Sequence, residues 1–356
     1  MEASGKHTPK NIRHLNIGEI KAFFEERGEP SFRATQVHEW LWKKSAHSFD
    51  DMSNLSKKTR ELLKENFFIS DLGATSQISK DGTIKNAFIL QDGKRVEGVL
   101  IPEGKRMTAC ISSQVGCSLE CKFCATGRLK RERNLESDEI YDEVVFIQKQ
   151  ALEKYNAPLT NIVYMGMGEP LLNYNNVLGS IEKITSPDGL NLSPHRITLS
   201  TAGVAKMIKK LGDDNVKFNL ALSLHAATNE KRNQIMDINH ANPLEEVAEA
   251  LKYFYSKTKT RVTYEYIVFN NFNDSPEDVS HLAEFCKVVP CKVNLIEYNP
   301  IEKGQFEQTS PEKLGMFIKF LKSRKIIVNV RRSRGKDIDA ACGQLANKVA
   351  KEAALR

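Results

Sequence analysis

Cys117-Ser118-Leu119-Glu120-Cys121-Lys122-Phe123-Cys124 places three thiols within eight residues, spaced C-x3-C-x2-C. No cysteine follows closely, and the preceding one, Cys110, is seven residues upstream. A structural zinc site usually shows two ligand pairs. Three thiolates suit three irons of a 4Fe–4S cube and leave the fourth iron open to an outside ligand. Such a cluster does chemistry, because a purely electron-carrying one is normally closed by four protein ligands. A zinc knuckle completed by a distant His or Cys stays open at this point.

The chain has 356 residues, 40% hydrophobic and 27% charged, enough to bury a sizeable core. No apolar run approaches the ~20 residues a membrane span needs, and Met1 to Lys10 carry no apolar signal core. A cytoplasmic protein without membrane contact is expected. Seven clustered cysteines do not resemble a secreted disulfide framework. Net charge is +7. Seven basic residues and no acidic ones lie between Leu321 and Lys336. Arg128, Lys130, Arg131 and Arg133 form a second basic group. Either could attract a phosphate backbone, and either could be a solvated face.

Upstream, Asn16 and Glu19 have capping-box spacing before Ile17, Ile20, Phe23 and Phe24. Further helices are expected from Ser31 and from about Ser53, giving a small helical accessory domain over 1–75. Asp92-Gly93 predicts a hairpin between Ile84–Leu90 and Val96–Ile101, within a linker at 76–105. From Met107, strand-like runs alternate with amphipathic helices such as Ser137–Tyr155. That repetition predicts an α/β domain over 106–348 with a parallel sheet, followed by a tail at 349–356. A barrel, whole or partial, and an open doubly wound sheet both satisfy it.

In either architecture ligands bind where the strands end. The strand ends carry the cysteine loop, then Gly166-Met167-Gly168-Glu169-Pro170, Ser200, Ser223-Leu224-His225, Asn299, and finally Asp337 to Gly343. Small and polar groups gather on one rim. Cys286 and Cys291 match no motif and read as core cysteines.

These stretches resemble the RlmN/Cfr family of radical S-adenosylmethionine (SAM) RNA adenine methyltransferases. The resemblance rests on C-x3-C-x2-C, Ile111 to Cys117, Met165 to Asn173, Val293 to Ile296 and Asp337 to Leu345. It implies a partial (β/α)6 barrel, a 4Fe–4S cluster on Cys117, Cys121 and Cys124, and SAM on the open iron. Gly168, Glu169, Ser200, Ser223, Leu224, His225 and Asn299 would hold SAM. The target would be C2 of an adenosine in 23S rRNA and in the tRNA anticodon loop. C2 of adenine is electron-poor and its hydrogen is not acidic, so polar methylation has no nucleophile there and radical addition does. By the same resemblance Cys342 carries the methyl group, Cys110 resolves the RNA adduct by forming a disulfide with Cys342, and Glu97 accepts the C2 proton. Two SAM are consumed. A flavodoxin-type electron donor and a thiol reductant complete the cycle, and a monomer is expected. Cys342 should sit near a helix start, where Arg331, Arg332, Arg334 and Lys336 would favour its thiolate. The rival readings are a Cfr-like C8 methyltransferase and a noncatalytic metal-bound RNA-binding protein.

Overall fold

The computed structural model describes residues 9–347. The first eight residues, Lys348 and the expected tail at 349–356 lie outside them. Near the N-terminus β1 (Lys10–Asn11) pairs in parallel with β2 (Phe67–Phe68) around three helices, α1 (Ile17–Glu25), α2 (Phe32–Trp42) and α3 (Lys57–Asn66). The capping box at α1 forms as expected: the Asn16 side chain accepts from the Gly18 and Glu19 N–H groups, and Glu19 reaches back to the Asn16 N–H. The third helix starts later than the sequence suggested. Residues 52–55 turn on themselves first, and Ser56 supplies the cap by accepting from the Thr59 N–H.

Next come four antiparallel strands, β3 (Gly73–Ile78), β4 (Ile84–Ile89), β5 (Arg95–Glu103) and β6 (Arg106–Cys110). The short pair β7 (Gln114–Val115) and β8 (Arg133–Asn134) ties together the two ends of the cysteine loop. The βα alternation then runs α4 (Ser137–Tyr155), β9 (Asn161–Tyr164), α5 (Tyr174–Thr185), β10 (Ile197–Thr201), α6 (Ala205–Asp213) and β11 (Asn219–Ser223). It continues through α7 (Asn229–Ile235), α8 (Ile238–Ala241), α9 (Leu244–Thr258), β12 (Val262–Val268), α10 (Pro276–Phe285), β13 (Cys291–Glu297), α11 (Pro311–Ser323) and β14 (Val328–Arg331).

All ten strands from β3 onward, apart from β7 and β8, form one sheet in the order β14-β13-β12-β11-β10-β9-β6-β5-β4-β3. From β6 to β13 the neighbours are parallel, which gives the six core strands, and β14 adds a parallel edge. Every residue of β12 is buried, as a strand covered on both faces requires. The edges β14 and β3 do not pair, so the barrel is partial. The gap is bridged by a polar latch. Asp81 Oδ2 accepts from the Gly335 N–H at 2.9 Å, and Asp337 accepts from Ser79 Oγ and from the Lys80 N–H. Gly335 has φ +66°, and a Cβ there would lie 2.7 Å from Ala340 Cβ.

One face of α4 grips the N-terminal helices. Asp138 Oδ2 accepts from Asn11 Nδ2 at 2.7 Å and from Ser70 Oγ at 2.8 Å. Arg13 donates to both oxygens of Asp142, and Tyr141 donates to the Trp42 carbonyl. Positions 138, 141 and 142 fall at i, i+3 and i+4, hence on one helical stripe.

Candidate active site

The parallel strands end on the rim that carries the cysteine loop. Cys117, Cys121 and Cys124 are unpaired thiols, each partly exposed. They lie close enough that the charge of one raises the pKa of another, after burial, which is the larger cause. Among the described residues no three His, Cys, Asp or Glu side chains converge on a single-ion site. Three neighbouring thiols that do not converge suit separate corners of a cube, as the cluster reading requires. The loop bearing them is closed by the β7–β8 pair, and a cavity of about 810 Å³ beside it is lined by Cys117, Cys121, Lys122, Arg128, Lys130 and Arg131.

The loop after β14 lies across this rim. Its Gly343 carbonyl accepts from the Ala125 N–H at 2.7 Å, and its Leu345 carbonyl accepts from Thr126 Oγ1 at 2.6 Å. The Cys342 loop thus rests on the cysteine loop. Asn299 Nδ2 donates to the Cys342 carbonyl at 3.2 Å, while Asn299 Oδ1 is buried with no partner. An orphaned acceptor on this rim fits a donor such as an adenine amino group.

The helix expected at Cys342 is absent. Only a 3-10 turn at Lys336–Ile338 precedes it, and residues 339–347 are irregular. Cys342 is exposed at the surface, yet neighbouring protein partly desolvates its thiol. That desolvation pushes its thiol up, while the Arg331 cation pulls the other way and loses. The expected lowering therefore does not occur in the ligand-free site. Cys110 is buried at the end of β6 and pushed up by burial and by the Cys342 charge, with Arg331 again opposing. Arg331 therefore neighbours both thiols. It also lies 3.9 Å from Glu265, which accepts from Asn294 Nδ2 at 2.7 Å inside the barrel.

Glu97 is buried and only 1% exposed, where the hairpin position suggested a surface carboxylate. Its Oε2 accepts from the Ala346 N–H at 2.8 Å, so it touches the Cys342 loop. Its Oε1 has no hydrogen-bond partner and lies 3.6 Å from the buried Lys85 Nζ.

The Gly-x-Gly-Glu turn folds against Gln114. Gly168 has φ +96°, and a Cβ there would lie 2.6 Å from Gln114 Cβ. Glu169 accepts from the Leu171 N–H at 3.1 Å and the Ala202 N–H at 2.8 Å, and burial pushes it up to about 7. Its carboxylate keeps further lone pairs for a ligand. Ser200 and Ser223, at adjacent strand ends, share a 3.2 Å hydroxyl contact. Leu224 is fully buried. His225 has Nδ1 accepting from the Ile267 N–H at 3.1 Å, and burial, then Arg232, depresses it to about 3. A neutral ring follows, packed edge-on against Phe123 of the cysteine loop at 4.7 Å. The His225 side chain thus positions the loop, and its own backbone is held in place as well: its N–H donates to the Glu265 carbonyl at 3.3 Å and its carbonyl accepts from Asn273 Nδ2 at 2.6 Å.

Sequence reasoning missed Arg232. It is fully buried and donates to the carbonyls of Ala202, Ser223 and Leu224 and to Asn239 Oδ1. It cross-links the loops after β10 and β11 and lies near Cys121, whose thiol pKa it lowers against burial. No motif in one sequence flags it. The basic groups also divide. Arg133 is held by Asp92 and Glu139. Arg324 and Lys325 lie at the opposite end of β14 from Arg331, Arg332 and Arg334.

Comparison with known proteins follows this geometry. Residues 10–69 match the ribosomal RNA large subunit methyltransferase N-terminal domain, and residues 111–286 match the radical SAM superfamily. A "Probable dual-specificity RNA methyltransferase RlmN" from Christiangramia forsetii is 60% identical over 97% of this chain and 98% of its own. The chain belongs to the RlmN family of radical SAM RNA methyltransferases. A "Dual-specificity RNA methyltransferase RlmN" from Geotalea uraniireducens is 42% identical over 96% of this chain and 98% of its own. A crystal structure of a radical SAM methyltransferase from Sphaerobacter thermophilus has a TM-score of 0.90 at 36% identity, over 96% of this chain and all of that one. As an RlmN-family enzyme, the chain uses a 4Fe–4S cluster and SAM.

Proposed function

We propose that this enzyme methylates C2 of an adenosine in 23S rRNA and in tRNA, with Cys342 as methyl carrier, Cys110 as resolving thiol and Glu97 as proton acceptor. The observation that carries this reading is one loop that brings Cys342 onto the cysteine loop and also bonds Glu97.

Cys117, Cys121 and Cys124 would hold the cluster, and Gly168, Glu169, Ser200, Ser223, Leu224, His225 and Asn299 would face SAM. When bound, the pair supplies a methyl group and a 5′-deoxyadenosyl radical. The rest is the chain's own chemistry. Cys342 needs its thiolate to take the methyl group as a thioether, and Arg331 beside it favours that form. Once the thioether carbon is joined to adenine C2, Glu97 accepts the C2 proton; its Oε1, ion-paired with Lys85 at 3.6 Å but not hydrogen-bonded, is the receiving oxygen. Cys110 then attacks the Cys342 sulfur. That S–S bond forms as the S–C bond breaks; the S–C electron pair stays on the freed carbon, which takes up a proton equivalent to the one Cys110 gives up, and 2-methyladenosine leaves. A thiol reductant resets the pair, and an external electron donor, flavodoxin-like in type, serves the cluster.

The accessory domain over 1–75 contacts RNA, and 106–348 is the catalytic unit. Ribosomal and transfer RNA, and thiols that must stay reduced, place the enzyme in the cytoplasm. No helix among the described residues is long and apolar enough to cross a membrane.

The test is product analysis. The cluster-loaded enzyme, a reductant, methyl-deuterated SAM and unmodified ribosomal RNA are combined anaerobically, and the nucleosides are identified by mass spectrometry. 2-Methyladenosine with one deuterium fewer than the donor methyl supports both the position and hydrogen abstraction from a methylated thiol. 8-Methyladenosine would move the chain to the Cfr-like reaction.

A further inference from the structure

Cys286 and Cys291 are not the sealed core cysteines that the sequence suggested. Both are partly exposed, and they face one another where α10 ends and β13 begins. The Cys291 thiol donates to the Cys286 carbonyl at 3.5 Å. Both thiols line a cavity of about 320 Å³ whose rim carries Lys287, Arg324 and Lys325, with Glu284 as its acidic member. Tyr264 lies on the same face of the sheet and close enough to feel both thiols. Its ring is fully buried and its hydroxyl has no partner. A buried donor left unmade next to a sulfur pair calls for an acceptor. A thiolate is such an acceptor. The site lies at the strand starts, a β13 length of about 20 Å from the rim that bears Cys342.

We infer that Cys286 and Cys291 form a dithiol site that exchanges with anionic low-molecular-weight disulfides. Cys291 is the attacking sulfur. The adjacent Cys286 side chain holds it below the ordinary thiol range, burial opposes this, and the Arg261 cation assists. Cys286 is correspondingly pushed up. In the first step the Cys291 thiolate attacks one sulfur of the small disulfide, forming a mixed disulfide and releasing a small thiolate. In the second, Cys286 loses its proton and displaces the remaining small thiol, closing Cys286–Cys291. The two protein thiols are oxidised and the small disulfide is reduced to two thiols. Lys287 is paired with Glu284 at 2.7 Å, so Arg324 and Lys325 are the cations that favour a disulfide carrying carboxylates.

The site is independent of methyl transfer, so its test uses no methylation readout. The full chain, cluster-loaded and anaerobic, is treated with glutathione disulfide, quenched in acid and mapped by mass spectrometry. A linked Cys286–Cys291 peptide is expected. Cys286→Ser should stop at a mixed disulfide on Cys291. In Cys291→Ser, Cys286 should react about tenfold more slowly than Cys291 does in Cys286→Ser, the difference a depressed thiol pKa produces. Tyr264→Phe should slow Cys291, and the cationic disulfide cystamine should react more slowly than glutathione disulfide. Separate adducts without a link, equal rates at the two sulfurs, faster reaction with cystamine, or no modification at either position would each overturn the inference.

Discussion

Arg232 satisfies three backbone carbonyls and Asn239 from full burial, next to Cys121. Arg232→Met would leave those acceptors without donors, and the expected loss is about 1–3 kcal/mol of folding free energy. Chemical denaturation measures it, and iron per chain after reconstitution should fall with it; an unchanged midpoint would contradict the assignment. Glu97→Gln tests a different property. Glutamine keeps an acceptor for the Ala346 N–H but cannot take a proton, so product formation should fall by about 100-fold or more while Cys342 is still methylated. Peptide mapping of Cys342 beside nucleoside analysis separates the two steps. Neither residue could be assigned from local pattern alone. Arg232 stands in an ordinary polar helix, and its burial comes from loops that converge only in the folded chain. Glu97 lies on a strand whose hairpin suggested exposure, and the Ala346 bond that covers it spans 249 positions. The three cysteines proposed to hold the cluster stand out in the sequence because their spacing is local.

Helix α4 anchors the N-terminal module through Asp138, Tyr141 and Asp142. Burial alone would push Asp138 up, but the His14 ring at 3.3 Å and hydrogen bonds from Ser70 and Asn11 outweigh it and hold the carboxyl at about 2. Its folded pKa is thus below the unfolded value of 3.8. The stability it contributes, about 2 kcal/mol, is present above about pH 4 and lost as pH falls toward 2. Asp138→Asn should flatten that acid limb in denaturation curves recorded across the range; identical limbs would remove Asp138 from the interface's acid response. The latch is a second element-scale device. Asp337→Ala removes its bonds to Ser79 and Lys80, and Cys342 should then alkylate faster with iodoacetamide while methylation slows. Periodicity revealed most elements, including α4 at its observed bounds. It missed β3, whose Gly-Ala-Thr-Ser-Gln-Ile lacks a buried face, and it placed a helix at Cys342 where the loop is fixed by other loops. It also treated 322–336 as one basic patch, because a strand running through a charge run splits it between two ends of the barrel.

At the scale of the whole molecule, the alternating βα pattern was sufficient for a parallel sheet and a ligand rim, while the choice of a partial barrel came from resemblance. Which strands stand at the edges is a long-range property that no window of sequence contains. The net charge of +7 and the basic lining beside the cysteine loop give an RNA-binding prediction. Affinity for single-stranded RNA should fall with added salt at a log–log slope of about −0.7 for each phosphate neutralised. Lys130→Ala with Arg131→Ala should make that slope shallower in filter-binding titrations, and a slope unchanged from the parent would exclude this face.

The latch that bridges the sheet edges joins Asp81 to Gly335 and Ser79 to Asp337, partners 254 and 258 positions apart. A growing polypeptide emerges N-terminal end first, and its domains begin folding in that order. Nearly every strand can therefore be laid down before the seam has its second half. The cysteine loop, the Gly-x-Gly-Glu turn and Arg232 are all in place during that interval, while Cys342 has yet to be added. Cys342 arrives on the same late segment that draws the edges together, so the seam closes and the Cys342 loop docks in one late folding step.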